Sequence, residues 1–320
     1  MLTYLTVFIG LFIAERFYFR LADHFDIIDK PNERSSHERP TIRGGGIVFY
    51  LAVVAFFILS GFKYPWFFIG TSLVSIISFF DDIYDLSSKL RLAIQLLSVA
   101  LISIDAAAFA QPWWWIPFMI IVVTGIVNVF NFMDGINGIT GFYGLVTLGT
   151  LVYLNVSIGF ADNRLIVMVI LSLLVLGYFN FRKNAACFPG DIGSVSLACV
   201  SVFLLLKLIL ATQNYYFILL LAVYGVDSSL TIFRRLRRGE NILKPHRSHL
   251  YQQLVKPGPF SHLQVASAFA SAQIVINIVI VSIWHNNNPA TIMSALILGF
   301  LIGLYFLTYR TVKKANKGTL

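Results

Sequence analysis

Charge is what this sequence has least of. Among 320 residues there are 24 Lys and Arg and 15 Asp and Glu, 12% in all, where a soluble domain carries about 25%. Half of the usual solvated surface is missing. With 58% hydrophobic residues and a mean hydropathy of +0.78, the outside of the folded chain must be covered mostly by lipid. Cysteine is nearly absent: Cys187 and Cys199 are too few for a disulfide framework and lack metal-site spacing. The start of the sequence does not read as a cleavable leader. The first apolar run, MLTYLTVFIGLFIAERFYFR, has neither a basic start nor a small-residue cleavage site, and is read as a retained first span. The net charge of +9 raises nucleic-acid binding as a reading, to be judged by where that charge lies.

Long apolar runs are what the chain has in quantity. They cover about residues 2–20, 45–61, 65–80, 92–109, 113–130, 139–159, 165–181, 192–211, 215–233, 264–284 and 291–309, each of roughly span length. Lipid admits only helices or closed barrels, and these runs lack the alternation of barrel strands. Eleven transmembrane helices are therefore expected. The connections after the odd-numbered runs, with the tail after the last, hold twenty of the 24 Lys and Arg; those after the even runs hold only Lys63 and Arg164. By the positive-inside rule the loops at about 21–44, 81–91, 131–139, 182–191 and 234–263 are cytoplasmic, the N-terminus periplasmic and the C-terminus cytoplasmic. The Trp run PWWWIP and Trp284 then sit near the outer interface. The fold expected is an all-α polytopic integral membrane protein, a single transmembrane domain over 1–320. Topology absorbs most of the positive charge, and no nucleic-acid partner is implied.

The acids repeat the asymmetry, which the positive-inside rule does not explain. Asp81, Asp82, Asp85, Asp134, Asp191, Asp227 and Glu240 fall on the cytoplasmic side, with Asp105 and Asp162 in outer connections. In FFDDIYDLSSK, Asp81 and Asp85 are an i,i+4 pair and Asp82 and Asp85 an i,i+3 pair. Carboxylates so close stay ionised only beside a cation, and Mg²⁺ is the natural one; the bland reading is a solvated helix end. In NVFNFMDGINGITG, Asn128, Asn131 and Asp134 recur every three residues on one helix face, and Gly135, Gly138 and Gly141 open the backbone to a ligand. A polar helix end with a turn would be the plainer account. In CFPGDIGS, Asp191 opens a helix where a phosphate and its metal could sit, or merely caps it. The longest polar connection, with Arg247 and His249 in KPHRSHLYQQL, and the loop DKPNERSSHERPTIRGGG, with Arg34, His37, Arg39 and Arg43, suit a diphosphate, although much of RRLRR is a topology anchor. Jointly these motifs describe a metal-dependent site for a diphosphate substrate on one membrane face.

Their order, FFDDIYDLSSKLRLAIQ, NVFNFMDGINGITG, FPGDIGS, RRGENILKPHRSHLYQQL, resembles the polyprenyl-phosphate N-acetylhexosamine-1-phosphate transferases, the superfamily of MraY and WecA (glycosyltransferase family 4). The resemblance implies transfer of a sugar-1-phosphate from a UDP-N-acetylhexosamine to undecaprenyl phosphate, with Mg²⁺ as cofactor and Mn²⁺ able to substitute. It implies a bacterial inner-membrane enzyme, with a homodimer left open. By the same resemblance Asp191 would bind the metal, Asp81 would deprotonate or orient the lipid phosphate, and Asp82 would support it. Phe188 would stack on uracil with Gly135 to Asn137 completing that pocket. Asn131 and Asp134 would hold the nucleotide, while Lys89 and His249 would face the phosphates. Two features depart from the pattern. Asn137 stands where relatives usually carry a second Asp, and SHLYQ keeps only His249 of a His-x-His-His cluster. The HRSHLYQ form is similar to the WbpL-like branch that initiates O-antigen on 6-deoxy sugars such as N-acetylfucosamine or N-acetylquinovosamine.

Two alternatives fit less well. A secondary transporter would carry its ionisable groups near the bilayer midplane in repeated halves, and neither is present. An intramembrane prenyltransferase would need two similar Asp-rich motifs, and this chain has one.

Overall fold

The computed structural model describes residues 1–31, 39–84, 86–242, 246–256, 258–286 and 290–317. Arg34, His37 and Asp85 lie outside the described residues. Helix α1 (Leu2–His24) leads through a two-residue hairpin, β1 (Ile28–Asp29) and β2 (Thr41–Ile42), into α2 (Ile47–Leu59), α3 (Pro65–Tyr84), α4 (Ser88–Asp105) and α5 (Trp115–Met133). Then follow α6 (Ile139–Ile158), α7 (Asn163–Asn180), α8 (Gly190–Thr212), α9 (Ala222–Arg237), α10 (Leu250–Val255), α11 (His262–Asn286) and α12 (Ala290–Lys317).

Every one of the eleven apolar runs falls on a helix. Among the described residues, nine helices are long and apolar enough to cross a membrane unaided, counting Tyr215–Arg237 as one. The other two runs form α2 and α4. With 13 residues, α2 spans about 20 Å, short of a hydrocarbon core of about 30 Å. Helix α4 opens on a polar turn, Ser88 to Arg91, which shortens its apolar part. The chain is an all-α polytopic membrane protein, with nine unaided spans among the described residues.

Helix α8 is the hub. It is apolar nearly all round and buried along most of its length, as a helix without a solvent or lipid face must be. It packs against α2, α3, α4, α5 and α6. Small residues let neighbours approach: the Ser75 and Ser196 hydroxyls meet at 2.7 Å, and a Cβ at Gly193 would lie 2.6 Å from Gly46 Cα. Helix α12 is the opposite case, largely exposed through Leu296, Phe300 and Leu307. In an aqueous protein such a face would mark a partner; here it is the surface presented to lipid.

Between α8 and α9 the backbone runs as a 3₁₀ segment, Tyr215–Leu221, which breaks the span. Buried backbone groups at such a break need partners in lipid. Gln273 of α11 supplies them. Its Oε1 accepts from Val223 N at 3.0 Å and from the Tyr143 hydroxyl at 2.7 Å. Its Nε2 donates to Leu219 O at 2.9 Å and to Asn277 Oδ1 at 2.7 Å.

Candidate active site

The site assembles where the α3–α4 turn, the β2–α2 connection and the start of α8 meet. Asp81 and Asp82 are adjacent in sequence, so on a helix they point about 100° apart, and the two take different partners. The Asp82 side chain is fully buried. Its Oδ1 accepts from Asp191 N at 2.9 Å, its Oδ2 from Ile192 N at 3.1 Å, and Arg43 Nε lies 2.7 Å from Oδ1. Asp82 is thus the N-terminal cap of α8, satisfying two backbone donors that helix geometry leaves free and placing a negative charge at the positive end of the helix. Gly190, at φ +71°, is required there: a Cβ would sit 2.6 Å from Asp82 Oδ2 and 2.8 Å from Gly44 N.

Asp81 faces the other way. Its Oδ1 accepts from Leu86 N at 2.7 Å and its Oδ2 from Arg91 Nη1 at 2.6 Å. Asp191, held by the cap, stands between two guanidinium groups. Arg43 Nη2 is 3.5 Å from its Oδ1 and Arg91 Nη1 is 3.6 Å from its Oδ2. Its side chain is 22% exposed, against 5% for Asp81 and 0% for Asp82. Of the three acids it is therefore the one with both longer contacts and an open edge. The Arg43 backbone is fixed in turn by the Tyr18 hydroxyl, which donates to Arg43 O at 2.6 Å, and by Arg43 N donating to Ile27 O at 3.1 Å.

The Asn and Gly motif borders this cluster. Asn131 Nδ2 donates to Ser194 Oγ at 3.4 Å, and Ser194 Oγ donates to Asp191 O at 3.3 Å. Asp134 accepts from Thr140 Oγ1 at 2.6 Å. Burial raises its carboxyl to about 7, and the negative charge of Asp191 adds to the effect. Asn128 faces α4 instead, donating to Gln95 Oε1 at 2.9 Å. Asn137 is buried, with Nδ2 donating to Arg182 O at 3.0 Å and Lys183 O at 3.1 Å. With Phe188, Thr41, Lys183 and His262 it walls a cavity of about 690 Å³, the size of a small-molecule site.

Other predicted residues stand apart. Lys89 is exposed on α4, and the cation that reaches the acids is Arg91, two residues on. His249 is buried, with Nδ1 3.4 Å from Asp227 Oδ1. Asp227 also accepts from Leu250 N at 2.9 Å and Tyr251 N at 3.2 Å, so it caps α10. The ring of His249 lies 6.2 Å from that of Phe132, and Tyr251 donates to Phe132 O at 3.0 Å, which docks α10 on the end of α5. His246 stacks on His249 at 5.0 Å; burial lowers it to about 4, with His249 and Arg235 adding to the effect. Arg247 is partly buried in the same loop and accepts from Gln253 Nε2 through its backbone carbonyl.

Sequence reading missed Arg91 and Asn180. Asn180 accepts from Gly138 N at 2.7 Å and donates to Cys187 O at 2.8 Å, tying the glycine motif to the connection that carries Phe188. A lone Asn closing an apolar helix was its only signal. Chemically, the cluster presents carboxylates for a hard cation, guanidinium groups for phosphate oxygens and a walled cavity beside them.

Comparison with known proteins agrees with this chemistry. Residues 64–209 match the family model described as glycosyl transferase family 4. A probable undecaprenyl-phosphate N-acetylglucosaminyl 1-phosphate transferase of Bacillus subtilis (strain 168) is 26% identical over 261 residues, 75% of this chain and 72% of that protein. An undecaprenyl-phosphate alpha-N-acetylglucosaminyl 1-phosphate transferase of Yersinia pestis is 25% identical over 320 residues, 91% of this chain and 86% of the relative. A decaprenyl-phosphate N-acetylglucosaminephosphotransferase of Mycobacterium leprae (strain TN) is 25% identical over 301 residues, 77% of this chain and 74% of its own. With four motifs in order and their side chains gathered around the start of α8, the chain is similar to the polyprenyl-phosphate N-acetylhexosamine-1-phosphate transferases that these comparisons name.

Proposed function

We propose that this protein transfers an N-acetylhexosamine-1-phosphate unit from a UDP-sugar to undecaprenyl phosphate, giving undecaprenyl-diphospho-sugar and UMP. The observation that carries the reading is the meeting of Asp81, Asp82 and Asp191 with Arg43 and Arg91. In the reaction an oxygen of the lipid phosphate bonds to the phosphorus that bears the sugar, and the bond from that phosphorus to the bridging oxygen of UMP breaks. Such transfers depend chiefly on positioning and on neutralising charge spread over phosphoryl oxygens. Arg43 and Arg91 suit that neutralisation, Asp81 suits orienting or deprotonating the acceptor phosphate, and Asp82 fixes Asp191. Phe188 and Asn137 suit the uracil ring, with Asn131 and Asp134 completing the polar border.

Mg²⁺, with Mn²⁺ as substitute, fits the donor set. Asp191 is the open carboxylate, and Asp81 beside it shares the same Arg91 nitrogen. Among the described residues no group of three or more His, Cys, Asp or Glu is placed to hold a metal ion by itself; Mg²⁺ characteristically takes one or two carboxylates and fills its remaining positions with water and substrate phosphates. When bound, that ion supplies charge neutralisation at the transferring phosphoryl group. The distribution of Lys and Arg supports an inner-membrane enzyme with this site on the cytoplasmic face. The HRSHLYQ form of the His249 loop supports the WbpL-like assignment and with it a 6-deoxy donor for O-antigen initiation. The test is UMP release by purified protein with Mg²⁺, undecaprenyl phosphate and a panel of UDP-N-acetyl sugars. Release with a 6-deoxy sugar above UDP-N-acetylglucosamine supports the full reading; the reverse keeps the reaction and discards the branch. No UMP with any sugar, alongside substrate flux in proteoliposomes, discards the enzyme.

A further inference from the structure

We propose that Arg91 is an exchangeable counter-cation: it neutralises Asp81 and Asp191, and yields Asp191 to an incoming divalent cation. The displaced guanidinium is then free to take a phosphate oxygen of the substrate. This rests on the proposed metal-dependent reading of the site and names the residue that couples cation entry to phosphate capture.

The two arginines of the cluster differ in how they are held. Arg43 bonds through Nε to Asp82, whose carboxylate is locked by two backbone N–H groups of α8, and its own carbonyl is fixed by Tyr18. Moving Arg43 would uncover a fully buried charge. Arg91 has no such tie. One nitrogen, Nη1, serves both Asp81 Oδ2 at 2.6 Å and Asp191 Oδ2 at 3.6 Å. Among the described residues Nη2 reaches only Ser88 Oγ on its own helix, at 3.4 Å, and the buried Nε has no hydrogen-bond partner. A buried donor left without an acceptor is a standing penalty, so this pose is held by charge and not by fit. An anionic oxygen offered from outside would satisfy Nε and replace what the carboxylates provide. The residue that must receive the cation, Asp191, is also the weaker of the two Arg91 contacts and the more exposed acid. Arg43 reaches Asp191 through Oδ1 and Arg91 through Oδ2, so a divalent ion entering at Oδ2 repels Arg91, the less firmly held of the two.

The consequence is that Arg91 opposes cation binding when no substrate is present. Mn²⁺ affinity, read by electron paramagnetic resonance on substrate-free protein, tests this directly. Arg91→Gln is expected to bind Mn²⁺ on the order of tenfold more tightly than the unmodified protein. Arg91→Lys, which keeps the charge, should stay within about twofold. Lys30→Gln, which removes an exposed cation paired with Asp26, controls for net charge and should change nothing. Arg91→Gln should also raise KM for the donor sugar nucleotide. Equal or weaker Mn²⁺ affinity in Arg91→Gln overturns the proposal, as does absence of Mn²⁺ binding in every variant. Tighter Mn²⁺ binding in Arg91→Gln without UMP release by the unmodified protein would keep the counter-cation and remove the proposed reaction.

Discussion

Replacing Asp82 by Ala should unfold the site, whereas the same change at Asp81 should only disarm it. The reasoning is an inventory of what each carboxylate holds. Asp82 is fully buried and accepts from Asp191 N, Ile192 N and Arg43 Nε at 2.9, 3.1 and 2.7 Å. Its removal takes away a helix cap worth about 1 kcal/mol and strands Arg43 beside the gap. Arg43 is itself 36% exposed, so its lost pair adds about 1 kcal/mol or less; the two buried N–H groups left without an acceptor bring the total to about 3–5 kcal/mol. Asp81 instead pairs with Arg91, which is 34% exposed, and an ion pair open to solvent contributes about 1 kcal/mol or less. At roughly 2.1 cal/mol/K of unfolding entropy per residue, 3–5 kcal/mol in a chain of 320 residues lowers Tm by on the order of 5 °C, and 1 kcal/mol by about 1–2 °C. Thermal unfolding of each variant in the same detergent, followed by circular dichroism, reads the difference. Turnover should fall in both, through Asp191 misplacement in one and acceptor handling in the other. If Asp82→Ala melts with the unmodified protein, Asp82 does not hold α8 and the assignment collapses.

Three further outcomes are expected. Asn137→Asp should turn a carboxylate onto the carbonyls of Arg182 and Lys183 and raise donor KM about tenfold, since two buried hydrogen bonds are exchanged for repulsion; unchanged KM would free those carbonyls of any role. The Asp134 carboxyl is raised from 3.8 to about 7, so between those values the folded protein holds a proton that the unfolded chain releases, and stability falls as pH rises. Asp134→Asn should flatten the fall in Tm between pH 5 and pH 8, and parallel curves for the two proteins would contradict this. Gly46→Ala would drive its Cβ into Gly193 Cα and should abolish accumulation of folded protein, whereas Gly125→Ala, which meets nothing within 4 Å, should accumulate normally.

The positions of the helices were legible because lipid demands apolar runs, and all eleven runs lie on helices. The short reach of α2 was harder to see: its hydrophobicity continues through Ser60 and Gly61, but the helix ends at Leu59. Among the site residues, Asp191, Asn131 and Arg43 could be found as motif members, since glycine and polar residues at a lipid boundary have few plain uses. Which of Asp81 and Asp82 turns inward could not be read, because adjacent helical positions differ only in phase and Gly190 sets that choice from a hundred residues away. Phase also decides between Lys89 and Arg91. Ser87 caps α4, its Oγ accepting from Leu90 N at 3.4 Å, and residues two apart on a helix do not share a face. Their spacing was plain, but the direction of the face was not.

The clamp made by Gln273 has a bearing on biogenesis. A span normally enters the bilayer complete, with its backbone satisfied from within. The segment around Leu219 and Val223 cannot, because the Val223 N–H takes its acceptor from a side chain in α11 that is synthesised some fifty residues later. Until α11 arrives, that stretch has bare polar groups in a medium that offers them no water, at a cost of several kcal/mol. Helix α9 therefore reaches its final shape only with α11, and the loop of His249 between them is placed no earlier. The bundle around α8 can form during synthesis, and the fourth motif closes on it afterwards.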